Sequence, residues 1–146
     1  MTIFLTIITG VLTYILAQLA MKLIIEPVHE FKKLIADISF SLIELANIYT
    51  SPGVTSIESQ HAASDTLRKL ASRLNSQIYL IPWYDKASKI FKLPVQKNIN
   101  KASKHLIGLS NGVFESAANM GTQNGQKADN IRELLNIYMP DDEEQA

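Results

Sequence analysis

The amino-acid sequence predicts an all-α protein: one N-terminal transmembrane helix followed by an antiparallel up-down helical bundle of three long helices plus one or two short ones. The run from Thr2 to Met21 contains no charged residue. Downstream of Pro27, apolar residues recur once per helical turn in successive segments, and none alternates with the two-residue period of a strand. Short breaks rich in proline, glycine and polar residues separate these segments, and short connections favour antiparallel neighbours. The expected boundaries are 1–26 for the anchor, 27–139 for a soluble helical domain and 140–146 for a disordered acidic tail.

About 20 residues rising ~1.5 Å each match a hydrocarbon core about 30 Å thick, so Thr2–Met21 has the length of a membrane span. Its Ile, Leu, Val and Phe residues each favour insertion by roughly 0.3–0.6 kcal/mol near the centre of a span, outweighing the threonines and Gln18. Residues 3–25 are the expected contact with the lipid bilayer, with Lys22 snorkelling to the headgroups at one end. Tyr14 sits too deep for an interfacial belt residue. A cleaved secretory signal fits less well, because no basic n-region precedes the run and no Ala-x-Ala site closes it. Met1 and Thr2 precede the span, whereas Lys22, Lys32 and Lys33 follow it, so the lysine bias predicts a cytoplasmic domain with the N-terminus outside, and the very short N-tail points to a bacterial inner membrane.

After Pro27, the stripe Val28, Phe31, Ile35, Ile38, Leu42, Leu45 and Tyr49 predicts a second helix, widened by Leu34, Ile43 and Ile48 into a bundle face. Thr50-Ser51-Pro52-Gly53 breaks it, and Thr55 with Glu58 forms a capping-box pattern opening the next helix. That helix carries Ala63, Leu67, Leu70, Leu74, Ile78 and Ile81 inward and stops at Pro82. A short helix is expected around Trp83–Phe91. Pro94 then suits the first turn of another, with Val95, Ile99, Ala102, Leu106, Leu109 and Val113 inward. Asn119–Gln126 reads as a polar, glycine-rich loop, and Ile131, Leu134, Leu135 and Tyr138 as a short closing amphipathic helix.

Lys plus Arg number 14 and Asp plus Glu number 14, a balance that favours no nucleic-acid partner. Cysteine is absent, which excludes disulfides, thiolate metal sites and cysteine nucleophiles. Gly108-Leu109-Ser110-Asn111-Gly112 has the Gly-x-Ser-x-Gly spacing of a nucleophile elbow. Its flanks read as helix, and His29, His61 and His105 all precede the serine, so a helix whose glycines weaken it or admit a close neighbour is the better reading. Glu26 with His29 and Glu58 with His61 repeat a di-iron spacing, but an antiparallel arrangement puts the pairs at opposite ends. No catalytic, metal or cofactor site is therefore expected.

The segment from Trp83 to Lys104 carries more information. It sets Lys86, Lys89, Lys92, Lys97, Lys101 and Lys104 against the single acid Asp85 and interleaves Trp83, Tyr84, Ile90 and Phe91. A helix returning from the far turn would bring Trp83 back to the membrane, where Trp83, Tyr84 and Phe91 could sit at headgroup level and the lysines could face anionic phospholipid. An ordinary solvated face is the competing reading. Lys22-Leu23-Ile24-Ile25-Glu26-Pro27, Ile81-Pro82-Trp83-Tyr84 and Lys104-His105-Leu106-Ile107-Gly108-Leu109-Ser110 together resemble small single-pass bacterial membrane proteins of unknown function. The resemblance implies an anchor and a helical domain and no activity. The expectation is a non-enzymatic, membrane-tethered interaction module that docks on the inner leaflet or on a protein partner. A structural homo-oligomer, with Thr2, Thr6, Thr9 and Thr13 hydrogen-bonding between anchors, is the alternative, and an enzyme with an unrecognised site the third reading.

Overall fold

The computed structural model describes residues 1–138; the expected acidic tail lies outside them. All regular structure among the described residues is helical. The expected anchor and second helix are one continuous rod, α1 (Thr2–Glu44), of 43 residues and therefore ~65 Å long. Pro27 does not start a new helix. It lacks an N–H, and in a regular helix its ring would press on the carbonyl four residues back. Immediately before it, Met21–Ile25 forms a wider π turn in which the Glu26 N–H reaches the Met21 carbonyl, and this turn opens the space the ring needs.

The two halves of α1 have different surroundings. No residue of Thr2–Ala20 is buried, whereas Val28, Phe31, Leu34, Ile38, Ser41 and Leu42 face the core. The N-terminal half of the rod is long and apolar enough to cross a membrane. The threonines of this N-terminal half look inward: Thr6, Thr9 and Thr13 each donate to a carbonyl one turn back on their own helix. Ile35 and Leu45 of the expected stripe are only half-buried, and Ile43 is exposed.

At Leu45 the chain kinks into the short α2 (Ala46–Thr50), braced by the Tyr49 hydroxyl donating to the Leu42 carbonyl at 2.7 Å. α3 (Ile57–Gln77) begins one residue later than the Thr55/Glu58 pattern suggested. Ser56 is the cap, and its Oγ accepts from the Ser59 N–H at 3.3 Å, because a cap must serve the donor three residues on. The expected stripe of α3 is buried from Ala63 through Ile78 and, past the 3₁₀ turn Ile78–Leu80, to Ile81.

α4 (Tyr84–Phe91) lies between two left-handed residues, Trp83 (φ 48°) and Lys92 (φ 54°). α5 (Gln96–Gly112) starts after Pro94 instead of on it, capped by Val95. Val95 is exposed, contrary to its expected inward place, because it sits before the first turn. Ile99, Ala102, Leu106, Leu109 and Val113 are fully buried.

The largest correction falls at residues 119–126. The expected loop is the first half of a helix, α6 (Met120–Leu134). Its buried face, Met120, Asn124, Ala128 and Ile131, repeats once per turn but contains an amide and a small residue, so the apolar signal is weak. Tertiary contact outweighs the cost of two helical glycines. The Asn124 Nδ2 donates to the Tyr49 carbonyl at 2.9 Å and to the Gly112 carbonyl at 3.0 Å, tying together α2, α5 and α6. α6 ends before Asn136 (φ 55°), leaving Tyr138 exposed and outside the helix expected to carry it.

α3 packs against α5, α5 against α6, and α1 against α3. Asn75 donates to Ser103 at 2.8 Å and Arg68 to Asn111 at 2.7 Å, so α3 and α5 run in opposite directions.

Candidate lipid-facing surface

α3 runs back toward the π turn of α1. The 3₁₀ turn after it and the chain to Pro82 bring Tyr79, Leu80 and Pro82 opposite Leu23, Pro27 and Glu30, walling an open groove of about 510 Å³. Lys22, Glu26 and Gln77 complete its lining. The far end of α3 thus meets α1 where the uncharged run stops.

The groove walls and the residue after them carry large exposed side chains: Tyr79 (83 % exposed), Leu80 and Trp83 (75 %). Backbone geometry explains Trp83. A left-handed residue before α4 turns its side chain away from the core while the next, Tyr84, is turned inward. Tyr84 was expected at headgroup level and is not there. It is 8 % exposed, meets Phe31 edge-to-face at 6.0 Å, and donates from its hydroxyl to the Pro94 carbonyl at 2.7 Å. Burial pushes its phenol well above the ordinary 10.0, with the nearby Asp85 carboxylate adding to the shift, so it stays a neutral donor. Phe91 is likewise corrected: it is half-buried and packed on the core. Tyr84 fills space between α4 and α1, a larger gain for an aromatic than solvent exposure.

The lysines divide by height. Lys86, Lys89 and Lys92 are exposed on or beside α4, which Trp83 opens and Lys92 closes. Lys97, Lys101 and Lys104 are exposed on α5, which runs away from the groove end. From Lys97 to Lys104 the helix climbs ~10 Å, more than a Debye length of ~8 Å. By the Asn75–Ser103 pairing Lys97 stands level with Ile81, Lys101 level with Gln77 of the groove lining, and Lys104 about one turn farther along. Tyr79 and Leu80 were missed by sequence reasoning. Their signal was present: they follow Ile78 off the α3 stripe and precede the helix-stopping Pro82.

The other motifs are structural. Ser110 is fully buried within α5 and its hydroxyl donates to the Ile107 carbonyl at 2.7 Å, so it is no exposed nucleophile. Gly112 is a close-approach position, since a Cβ there would overlap the Asn124 side chain. His61 packs against Phe114 at 5.0 Å. Among the described residues no three His, Asp or Glu side chains are grouped to hold a metal, and the two Glu-x-x-His pairs do not meet. No protein-family model, curated protein or solved structure matches the chain.

Proposed function

We propose that this chain is a single-pass membrane protein of the bacterial inner membrane, in which Thr2–Met21 spans the bilayer and the remaining helices form an up-down bundle in the cytoplasm. The bundle is a non-enzymatic interaction module, tethered by α1 and resting its groove end on anionic headgroups. One observation carries the reading: exposed Tyr79 and Leu80 wall the groove where α1 turns from uncharged to charged, and exposed Trp83 and the α4 lysines follow them directly in the chain. Aromatic rings suit the headgroup layer, and each lysine near an anionic surface adds about 1 kcal/mol. Lys22, Lys32 and Lys33 on the domain side of the span support the orientation.

Trp83 is the single tryptophan of the chain, which makes it a clean reporter. In vesicles containing anionic lipid, the reconstituted full chain should show Trp83 emission quenched by lipids brominated near the headgroup. Quenching should fall at high salt and when Lys86, Lys89 and Lys92 become glutamine. Equal quenching in neutral and anionic vesicles, or none in either, would remove the anionic-lipid reading and leave the surface to a protein partner. A second reading has its own observation. Phe40 and Ile43 are exposed on the outer face of α1 beside Ala36 and Ile137, a groove that suits a second copy or another protein.

A further inference from the structure

The groove between α1 and the 78–82 turn combines apolar walls with polar groups that have no partners. Lys22 and Glu26 make no ion pair with any described residue, although they stand one turn apart on α1. The Gln77 Oε1 is buried and receives no hydrogen bond from any described residue. An acceptor withdrawn from water without a donor is costly, and a ligand that brings N–H donors relieves it. The groove thus offers one cation, one unpaired carboxylate and one orphaned acceptor, beside Leu23, Leu80 and Pro82.

We propose that this groove binds the headgroup of a zwitterionic phospholipid bearing a primary ammonium, the phosphatidylethanolamine class. The lipid phosphate pairs with Lys22. The ammonium donates to the Glu26 carboxylate and, as the Gln77 side chain turns its amide into the groove, to the Oε1, while the glycerol and first acyl carbons lie against Leu23 and Leu80. This rests on the reading of Thr2–Met21 as a membrane span, which puts the groove mouth at headgroup depth. An anionic headgroup fits poorly, because Lys22 is the sole cation of the lining and Glu26 and Glu30 stand beside it, Glu30 being held by Lys33 at 3.2 Å. A choline headgroup fits poorly for another reason: a quaternary ammonium has no N–H for Gln77 to accept. The groove and the Lys86 surface therefore select different lipids.

The test reconstitutes the full chain in vesicles of equal phosphatidylethanolamine, phosphatidylcholine and phosphatidylglycerol, extracts it in mild detergent and counts retained lipids by native mass spectrometry. Phosphatidylethanolamine should exceed phosphatidylcholine about fivefold, the ratio expected of one exposed charge-assisted contact. Glu26→Ala, at an exposed position, should lower the ratio by removing the charge-assisted contact, whereas Lys86→Gln should leave it unchanged. Equal retention of the two zwitterionic lipids, a preference for phosphatidylglycerol, or a preference undiminished by Glu26→Ala would overturn the proposal. Alkaline carbonate extraction of the same vesicles separates the two levels of the argument. A chain that stays in the bilayer without the preference refutes the groove site alone, and a chain that washes off refutes the span and the site together.

Discussion

Leu106→Ala is expected to lower the stability of the helical domain by roughly 2–5 kcal/mol, the range for removing a large aliphatic side chain from a packed core. Leu106 is fully buried on α5, the helix that packs against both α3 and α6, so neighbours on two sides must collapse to fill the space. That loss is a large fraction of the 5–15 kcal/mol by which most domains are stable. The check is thermal melting of the full chain in detergent, followed by helical circular dichroism. An unchanged melting curve would mean that the α5 stripe is not the core.

A comparable loss is expected from Gly121→Ala, and its sign is the informative part. Alanine is the better helix former by about 1 kcal/mol, so helix propensity alone predicts stabilisation. At Gly121, however, the new Cβ would overlap the Thr50 carbonyl oxygen, a backbone atom that cannot swing aside. Overpacking of this kind costs about 1–3 kcal/mol and should prevail. Gly125, four residues on in the same helix, has nothing within 4 Å of its Cβ position. Gly125→Ala should therefore stabilise by roughly 0.5–1 kcal/mol. Opposite shifts in melting temperature for the two variants are the expected result. Shifts of the same sign would show that α6 does not seat against α2 as described.

These two glycines also show where the sequence was legible and where it was not. The inner faces of α3 and α5 were readable because Leu67, Leu74, Ile99 and Leu106 are strongly apolar and fall once per turn. α6 was not, because it is held by close backbone approach at Gly121 and by the Asn124 amide, which on composition alone mark a loop. Pro27 misled in the same way: a helix-breaking residue is tolerated where a π turn widens the helix ahead of it. In the candidate surface, Trp83 and its lysines stood out as a run of one charge with aromatic neighbours. Tyr84 and Phe91 could not be separated from Trp83 by pattern, since the left-handed residue that turns them apart leaves no periodic trace. The groove was invisible for a different reason. Its walls, Leu23 and Leu80, become neighbours only when α3 returns to α1.

The central claim is that α1 carries the domain across a membrane boundary near Lys22. The chain has no cysteine, so single cysteines can be introduced on a silent background and probed with a membrane-impermeant maleimide. The account predicts that Thr2→Cys is labelled in cells whose inner membrane is exposed but intact. Leu12→Cys should resist labelling, and Ser72→Cys, on the exposed face of α3, should react only after permeabilisation. Labelling of Ser72→Cys from outside would reverse the orientation, and labelling of Leu12→Cys as fast as Ser72→Cys would show that α1 does not span a membrane.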